Sequence, residues 1–353
     1  VQSLVNKTLK NKIEVEKTVA MGNPYHYRNK LQFPIGVDKN GEPVIGVFAN
    51  RTHEIIPVQG CAIQDVKSIQ IAKYVIDAIK EFKLSIYDEK TGEGLMRHVV
   101  VKAAKSTGEY MVILVINANE LPHAKRIAES LRGACHSIVS VIVNVNMKNT
   151  NVILGDKNIT ILGRNYIMDR LGDYYFNISP LSFYQVNPVQ AEALYNYAIE
   201  AAEITKNDIV FDLYCGIGTI SIFMANSAKE VYGVEIVEQA IERAKENAKF
   251  NEVNNTHFIA GDTEVVLTDL IENKKVIPDV IIVDPPRKGL DNTSISNILK
   301  VKPRRVVYIS CNPASLVRDL KMLEEEYEIK VIQPFDLFCF TSHVECVCVL
   351  SLK

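Results

Sequence analysis

The residues best suited to chemistry lie near the end of the chain, where a thiol follows a strand-like apolar run. Cys311 comes directly after RRVVYIS and two residues before Pro313, a residue type suited to the first turn of a helix. A thiol just before a helix N-terminus lies at the positive end of the helix dipole, which favours the thiolate. We therefore predict that Cys311 is a nucleophile. The other thiols of this region are interpreted as buried and unreactive, namely Cys215, Cys339, Cys346 and Cys348.

Two carboxylates accompany this thiol. Asp284 follows the apolar run VIIV and precedes two prolines, so a parallel sheet would place it at the edge where ligands bind; the alternative is a plain strand-ending turn. Glu345 begins the apolar segment ECVCVL, where a charged group requires a partner or a catalytic role. Partial burial would raise its pKa towards values suited to proton transfer.

The segment DLYCGIGTIS, residues 212–221, has the order expected of a nucleoside-cofactor site. Gly216 and Gly218 follow a strand-like run and open a helix, so the backbone can turn sharply and approach a ligand closely. Glu235 ends the next strand, 19 residues after Gly216. A carboxylate at that position can accept hydrogen bonds from both hydroxyls of a ribose.

Two cofactors compete for this site. A nicotinamide dinucleotide would favour a third glycine where this chain has Ser221, whereas S-adenosylmethionine has no such requirement, so S-adenosylmethionine is preferred. Asp262, after the third strand, could bind an adenine amino group, cap the following helix, or do both.

A methyl donor, a thiolate and a carboxylate base together fit one type of reaction. Carbon 5 of uracil is a poor nucleophile, but addition of a thiolate at carbon 6 converts the ring to an enolate whose carbon 5 can attack a methyl sulfonium. A base must then remove the proton from carbon 5 before the thiolate leaves. These residues therefore predict methylation of carbon 5 of uracil.

The elements that position these residues alternate along the second half of the chain. Apolar strand-like runs alternate with helical patterns from about residue 180 to the end, which predicts an α/β, doubly wound and mainly parallel sheet. The first half reads as α+β, with a hairpin turn at Asn40-Gly41. We predict an α+β domain over 1–178 and a Rossmann-like catalytic domain over 179–353. Residues 1–20 are predicted to form a short basic helix that could pack on the catalytic domain.

Composition limits the remaining possibilities. The chain has 353 residues with a formal net charge of −2, 47% hydrophobic residues and seven cysteines. Without a run of about 18 apolar residues a membrane span is not expected, and scattered cysteines favour the reducing cytoplasm over a disulfide framework. Residues 1–180 hold 23 basic and 17 acidic side chains, and residues 181–353 hold 17 and 25. This asymmetry suggests a polyanion-facing first half, unless it is chance surface variation.

Six segments in this order, SFYQVN, DLYCGIGTIS, GVE, DPPRKG, SCNPASLVRDL and HVE, resemble the RNA uracil-5 methyltransferases, which make 5-methyluridine in 23S rRNA and tRNA. PYHYRNKLQFPIG resembles the family's segment before the catalytic domain. The resemblance implies an S-adenosylmethionine-dependent enzyme acting on structured RNA, with 23S rRNA favoured over tRNA. By position, Cys311 is similar to the family's nucleophile and Glu345 to its proton acceptor.

The same resemblance implies further roles at the cofactor and target base. Gln185 resembles a glutamine that contacts the cofactor near the target base, and Tyr214 resembles an aromatic that lines the cofactor site. Glu235 matches the ribose-binding acid, and Asp284 an aspartate between cofactor and uracil. The segment around Gln185 could instead be a polar turn that caps the next helix.

Two departures from the family pattern are visible. Members often begin with a small RNA-binding β-barrel, and many hold an iron–sulfur cluster through three upstream cysteines and a fourth that Cys61 resembles. Neither the barrel nor an upstream cysteine is found here, so we expect no cluster in this chain and interpret Cys61 as a plain buried thiol. The start at Val1 suggests a cut or processed chain, and a longer form could carry the cluster.

RNA is the expected partner, and we expect a cytoplasmic monomer. Tyr25, Tyr27 and Phe33 could stack on bases or simply pack in the protein. The alternatives are a tRNA uridine-5 methyltransferase, an amino-group methyltransferase with a similar D-P-P loop, and a non-catalytic RNA-binding assembly factor; the last two would need neither Cys311 nor Glu345. Candidate phosphate contacts are Arg28, Lys30, Arg51, Lys102, Lys105, Lys125 and Arg126.

Overall fold

A computed structural model describes the chain from Val1 to Lys353, which divides into two compact units. The larger unit comprises Val1–Gly22, Gly172–Tyr175 and Asn187–Lys353, and the smaller unit comprises Asn23–Leu171 and Phe176–Val186. The predicted boundary between residues 178 and 179 differs from this division. The smaller unit reaches Val186 because Ile178 lies in one of its hydrophobic clusters and Tyr184 packs against that cluster.

Nine helices and sixteen strands make up the chain. The elements before residue 180 are α1 (Gln2–Thr8), β1 (Lys30–Val37), β2 (Pro43–Phe48), β3 (Ile55–Pro57), α2 (Val66–Glu81), β4 (Met96–Ala104), β5 (Glu109–Ile116), α3 (Ala124–Ala134), β6 (Ile138–Val145), β7 (Lys157–Gly163), β8 (Ile167–Leu171) and β9 (Tyr174–Ile178). The later elements are α4 (Pro188–Ala202), β10 (Ile209–Leu213), α5 (Thr219–Ala225), β11 (Glu230–Glu235), α6 (Glu238–Phe250), β12 (Thr256–Ala260), α7 (Thr263–Glu272), β13 (Val280–Val283), α8 (Asn292–Val301), β14 (Arg305–Ser310), α9 (Pro313–Leu323), β15 (Tyr327–Phe335) and β16 (Glu345–Leu352).

The larger unit is built on a seven-stranded sheet in the order β12-β11-β10-β13-β14-β16-β15. Neighbouring strands from β12 to β14 run parallel, and the last two strands pair antiparallel. The order reverses beside β10, because its two neighbours are β11 and β13 and the chain winds outwards to either side. This arrangement confirms the predicted doubly wound, Rossmann-like sheet, whose ligand crevice lies at the carboxyl ends of the strands beside the reversal.

The core of this sheet follows from its continuous apolar strands. All four residues of β13 are buried, as expected of a strand covered on both faces. Phe211, Ile281 and Val306 pack in one cluster with Leu267 of α7 and Leu320 of α9. The parallel strands are therefore anchored to their crossover helices, which fixes where each strand ends.

The predicted helix over residues 1–20 is wrong beyond its first third. Only Gln2–Thr8 is helical, and Leu9 leaves the helix in an extended conformation. The chain then runs along β15, where the amide of Glu16 donates to the carbonyl of Ile332 at 3.0 Å and that of Val19 to Pro334 at 2.9 Å. These bonds satisfy the exposed edge of the sheet, which outweighs the weak helical propensity of the segment.

The smaller unit contains a second seven-stranded sheet in the order β3-β2-β1-β4-β5-β6-β7. Its pairs are antiparallel except β5 with β6, and α2 and α3 contribute to the large cluster on it, as predicted for an α+β unit. The Asn40-Gly41 hairpin is confirmed by the pairing of β1 with β2 and by a φ of +81° at Gly41. Across the whole chain, no helix has both the length and the apolar character that a membrane span would need.

Candidate active site

Four of the predicted site residues meet at one edge of the larger sheet. In the register of the parallel strands, Leu213 lies opposite both Val234 and Val283, and Val283 lies opposite Tyr308. The carboxyl ends of β10, β11, β13 and β14 therefore lie within two residues of one another along the strands. The residues at or just beyond these ends are Tyr214, Glu235, Asp284 and Cys311.

The loop after β10 is tied to the acid at the end of β11. The amide of Gly216 donates to Glu235 Oε2 at 3.2 Å, and the amide of Val237 donates to Oε1 at 3.0 Å. Each carboxylate oxygen keeps a further lone pair, so Glu235 can also accept hydroxyl groups from a ligand.

Glycine is required at positions 216 and 218 of this loop for different physical reasons. Gly216 has a φ of +56°, and a Cβ there would point into open space. Gly218 has a φ of +80°, and a Cβ there would lie 2.8 Å from the ring of Phe258 and 3.1 Å from Ala244. Gly218 is thus required by packing and Gly216 by the turn, and the space beside Gly216 can admit a ligand.

Tyr214 and Asp262 lie at the same edge. Tyr214 has a φ of +69° and its hydroxyl donates to Asp291 Oδ2 at 3.4 Å. Burial raises the pKa of Tyr214 to about 12, so the phenol stays neutral. Asp262 accepts from the amide of Glu264 at 3.0 Å and is the N-cap of α7. The capping role predicted for Asp262 is confirmed, and contact with adenine remains a prediction.

Asp212, beneath the glycine loop, is a site residue that the sequence reasoning did not single out. It is fully buried, its Oδ2 accepts from Ser221 Oγ, and its Oδ1 has no hydrogen-bond partner. Burial raises the pKa of Asp212 to about 7. The sequence did contain a signal for Asp212, an acidic residue within the otherwise apolar run IVFDL, because a buried acid requires a hydrogen-bond partner or a functional role.

The thiol of Cys311 follows β14 and precedes α9, as the sequence predicts. Asn312 is the N-cap of this helix and accepts from the amide of Ala314 at 3.1 Å. The surroundings of Cys311 oppose the thiolate that the helix dipole was predicted to favour. Burial first, and then the charges of Glu345 and Asp284, raise the pKa of Cys311 above its ordinary value.

Glu345 is brought to Cys311 by the pairing of β14 with β16. Ser310, the last residue of β14, lies opposite Cys346 in this antiparallel pair, so Cys311 follows the end of β14 and Glu345 is the first residue of β16. The charge of Glu345 raises the pKa of Cys311, so the two groups lie within electrostatic reach of each other. Only 4% of Glu345 is exposed, and burial, together with the charge of Asp284, raises its pKa to about 8. A buried carboxylate with this pKa can exchange a proton near neutral pH.

Asp284 contributes a second carboxylate of the same kind. It is half-buried immediately after β13, and desolvation raises its pKa to about 7. Its charge acts on both Cys311 and Glu345. The site therefore holds a thiol and two carboxyl groups that titrate close to physiological pH, which is typical of active sites.

Arg287 is a second residue that sequence reasoning missed. Its charge opposes the other influences on the site, because it lowers the pKa of both Cys311 and Glu345. Its Nη2 atom lies 3.3 Å from His343 Nε2, and its carbonyl accepts from Asn312 Nδ2 at 3.0 Å. The sequence contained a signal for this residue, because Arg287 directly follows Asp-Pro-Pro at the predicted edge of the ligand crevice.

The Asp-Pro-Pro loop is held in place by α9. Arg318 donates to the carbonyl of Lys288 at 2.8 Å, and Asp319 accepts from the amide of Leu290 at 2.9 Å and from the hydroxyl of Tyr308 at 2.7 Å. A Cβ at Gly289 would lie 2.5 Å from Asp319 Oδ2. This network fixes the loop that carries Asp284 and Arg287.

Comparison with known proteins agrees with this geometry. The sequence model of the tRNA (uracil-5-)-methyltransferase family matches residues 3–353. The chain belongs to this family.

Sequence relatives and a solved structure match most of the length of this chain. RNA methyltransferases named as uncharacterised from Clostridium tetani and Halalkalibacterium halodurans are each 46% identical to it, over 340 and 342 residues. The matches cover 96% and 97% of this chain and 74% of each relative. A solved structure, the tRNA (uracil-54, C5)-methyltransferase of Pyrococcus abyssi in complex with S-adenosyl-L-homocysteine, superposes with a TM-score of 0.80 at 29% identity. That match covers 99% of this chain and 81% of the other. The predicted family and enzyme class are confirmed.

Two family features predicted from the sequence lie in the smaller unit. Gln185 is half-buried, and its carbonyl accepts from Asn29 Nδ2 at 3.1 Å. The predicted alternative, a polar turn that caps the next helix, is confirmed: Asn187 is the N-cap of α4 and accepts from the amide of Gln190 at 3.3 Å. Cys61 is half-buried beside the main hydrophobic cluster. No group of three or more possible metal ligands occurs in the structure, so its residues do not fit an iron–sulfur cluster.

The basic and aromatic residues predicted to meet RNA in this family member differ in exposure. Tyr25 is 52% exposed, whereas Tyr27 and Phe33 are each 6% exposed and take the packing alternative. Arg51, Lys105, Lys125 and Arg126 are exposed, Arg28 and Lys30 are half-buried, and Lys102 is buried. Because Lys102 is buried, it does not offer its ammonium group to an RNA phosphate at the protein surface as an exposed lysine would.

Proposed function

We propose that the chain methylates carbon 5 of a uridine in structured RNA, using S-adenosylmethionine as methyl donor. The observation that carries this proposal is the pairing of β14 with β16. Cys311 follows the last paired residue of β14, the buried Glu345 begins β16, and the charge of Glu345 acts on the thiol. An RNA-binding assembly factor or an amino-group methyltransferase needs neither group.

The residues at the carboxyl edge fit S-adenosylmethionine, which supplies an electrophilic methyl group when bound. Open space lies beside Gly216, and Glu235 has lone pairs available for the two ribose hydroxyls. Tyr214, Gly218 and Asp262 border this loop. Gln185 is proposed to contact the cofactor near the target base. The complex of the Pyrococcus abyssi relative with S-adenosyl-L-homocysteine supports this assignment.

Cys311 begins the reaction as the nucleophile. Because its pKa is raised, the free protein holds a thiol, and attack requires transfer of the proton from Sγ. Asp284, with a pKa of about 7 and within electrostatic reach of the thiol, is the proposed acceptor. The thiolate then forms a bond to carbon 6 of uracil, and the electron pair of the carbon 5–carbon 6 double bond moves towards oxygen 4. Carbon 5 becomes nucleophilic and would form its new bond to the methyl group as the bond from that methyl group to the sulfonium sulfur breaks, which would leave S-adenosylhomocysteine as the neutral thioether product.

Glu345 completes the reaction as the base. Its carboxylate accepts the proton from carbon 5, the electron pair of that bond reforms the double bond, and the bond between Sγ and carbon 6 breaks. A pKa of about 8 makes the protonated product of this step stable near neutral pH. Arg287 limits the rise in pKa of both groups and so keeps a reactive fraction ionised.

The substrate is proposed to be 23S rRNA, from the motif resemblance. The alternative, tRNA, is supported by the tRNA methyltransferase of Pyrococcus abyssi. In either RNA the target uridine must leave its stack to reach Cys311. Seven free cysteines are consistent with a reducing cytoplasm, and we propose that the protein acts there as a monomer.

The experiment incubates the purified protein with radiolabelled S-adenosylmethionine and, separately, unmodified 23S rRNA and tRNA transcripts. We expect 5-methyluridine in the 23S rRNA transcript, whereas 5-methyluridine in tRNA alone would favour the alternative substrate. The Cys311→Ala variant should lose methylation and the covalent RNA adduct but keep cofactor binding. Cys135→Ala, which removes a half-buried thiol from the smaller unit, is the control and should retain activity. Full activity of Cys311→Ala would refute the nucleophile.

A further inference from the structure

Glu345 lies on a register line that crosses three extended segments of the larger unit. Phe335 of β15 lies opposite Glu345 in the antiparallel pair, and at the other edge of β15 it forms a parallel bridge with Val19. Directly opposed residues of an antiparallel pair share one face of the sheet. Phe335 is buried, and its ring contacts Tyr197 of α4 with 5.6 Å between the ring centroids. The side chain of Glu345 therefore lies on the face of the sheet that α4 covers.

The chain between Phe335 and Glu345 forms a single loop, residues 336–344. The tip of this loop, residues 340–343, is exposed, and Phe340 has a left-handed backbone with a φ of +64°. The start of the loop is held instead, because Leu337 is buried and the thiol of Cys339 donates to Asp336 Oδ2 at 2.6 Å. Glu345 follows directly after an exposed segment, so its placement depends on how this loop is anchored.

A glutamine of α4 anchors the first residue of the loop. Gln190 is 4% exposed, and its Nε2 donates to the carbonyls of Val19 and Asp336, both at 3.3 Å. An amide nitrogen carries two protons, so both bonds can form at once. The carbonyl of Val19 also accepts from the amide of Asp336 at 3.0 Å. Gln190 therefore joins the start of the loop to the N-terminal segment and to α4.

A second amide of the same helix end supports this arrangement. Asn187 is 1% exposed, and its Nδ2 donates to the carbonyl of Leu337 at 3.1 Å. Its Oδ1 accepts from the amide of Gln190, so the cap of α4 also orients Gln190. Two consecutive carbonyls of the loop are thus bound by side chains from one helix turn. This satisfies backbone groups that leave the sheet in a buried place.

The position of a base relative to the proton that it removes decides its rate. A displacement of about 1 Å caused by a residue remote from the chemistry can cost about 100-fold. Gln190 is bound to Asp336, and Asp336 directly follows the residue paired with Glu345. We propose that Gln190 is a positioning residue for Glu345, which acts by fixing the end of β15 against the start of β16. This inference rests on the proposed function, since it takes Glu345 to be the base.

The test compares Gln190→Met, which keeps the side-chain length and removes the donor, with the control Asn255→Ala. Asn255 belongs to the same unit, and its Nδ2 donates to the carbonyls of Ala225 and Ala228 at 2.8 and 3.2 Å, so the control also loses bonds to backbone carbonyls. Methylation is measured over a range of RNA concentrations, with circular dichroism to establish folding. Gln190→Met should lower kcat about 10- to 100-fold and leave KM for RNA within about twofold, whereas Asn255→Ala should retain both.

RNA deuterated at carbon 5 of uridine identifies the step that Gln190 affects. Glu345 removes this proton after methyl transfer, so a misplaced base should slow that step and no other. Gln190→Met should turn over the deuterated RNA more slowly than ordinary RNA, and a larger share of Cys311 than in the wild type should carry methylated uridine during turnover. Asn255→Ala should match the wild type in both measurements, because a general loss of stability affects neither.

Gln190→Asn is the second variant, which keeps an amide in the buried position but is one methylene group shorter. Because both bonds of Gln190 are already 3.3 Å long, the shorter amide cannot span the two carbonyls, and we expect the same loss of kcat. The inference is overturned if the folded Gln190 variants match Asn255→Ala, if they raise KM with kcat retained, or if kcat falls without the adduct and the isotope effect. Loss of folding in both variants would also overturn it, since the bonds would then serve stability alone.

Glu345→Gln, assayed in parallel, separates a failure of this inference from a failure of the proposed function. If the wild type methylates RNA and Glu345→Gln accumulates the adduct, the base is supported, and unaffected Gln190 variants contradict only the positioning role. Normal turnover by Glu345→Gln, or a wild type that does not methylate RNA, would contradict the proposed function itself and the positioning role with it.

Discussion

Replacing Glu345 with glutamine should stabilise the larger unit, and the gain should increase with pH. Glu345 is 4% exposed, and burial raises its pKa from 4.5 to about 8. Between these values the unfolded chain releases the proton and the folded protein retains it, so the unfolded state binds fewer protons. The free energy of unfolding of the wild type therefore falls as pH rises from about 4.5 to about 8.

The size of the effect follows from the same two pKa values. Each pKa unit corresponds to about 1.4 kcal/mol, so full ionisation of Glu345 destabilises the folded state by up to roughly 5 kcal/mol above pH 8. At pH 7 the corresponding value is roughly 3 kcal/mol, and near pH 4.5 it is close to zero. Glutamine has the same shape and no charge, so Glu345→Gln should recover most of this amount at high pH.

The assay is urea unfolding of both proteins by circular dichroism between pH 5 and pH 9, with the transition of the larger unit analysed. Glu14→Gln removes a carboxylate from an exposed position in the same unit and serves as the control. We expect the difference between Glu345→Gln and wild type to rise steadily with pH. A difference independent of pH, or one that favours wild type at pH 9, would show that burial does not hold Glu345 protonated.

Two further predictions concern the glycine loop and the thiol. Gly218→Ala should lower the free energy of unfolding by roughly 1–3 kcal/mol, because the added Cβ would lie 2.8 Å from Phe258. Gly216→Ala should lower it by about 1 kcal/mol, because of the left-handed backbone, and should mainly weaken S-adenosylmethionine binding. Thermal unfolding measures the first effect and calorimetric titration the second, and equal effects of both variants on stability and binding would contradict the prediction. Arg287→Gln should raise the pKa of Cys311, because the charge of Arg287 lowers that pKa in the wild type. Iodoacetamide should therefore alkylate Cys311 more slowly at pH 8 in Arg287→Gln than in the neighbouring control Lys288→Gln. An unchanged alkylation rate, measured by mass spectrometry, would count against the electrostatic role of Arg287.

The sequence predicts the order of elements in the larger unit well because each strand is a short apolar run between clear helical patterns. The ends of these strands carry the chemistry, so Asp284 and Cys311 could be located before the structure was known. Sequence could not reveal the ionisation of Cys311. The dipole of α9 is a local property, whereas the charges of Glu345 and Asp284 come from strands distant in sequence.

Residues fixed by tertiary pairing were harder to predict. The chain after Thr8 is extended because β15 offers it a free edge, which no local pattern indicates. Lys102 appears in the sequence as an ordinary basic residue, yet its ammonium is buried against two carbonyl groups. Asp212 and Arg287 likewise gain their significance from groups that only the fold brings to them.

The pairing of Cys311 with Glu345 is the central claim, and a trapped intermediate tests it most directly. Glu345→Gln is incubated with S-adenosylmethionine and RNA, digested with protease and nuclease, and examined by mass spectrometry for a nucleotide bound to Cys311. The mechanism predicts that a methylated uridine accumulates on the Cys311 peptide, because the proton on carbon 5 is no longer removed. The same variant carrying Cys311→Ala should show none. Rapid turnover of Glu345→Gln with no adduct on Cys311 would contradict the mechanism.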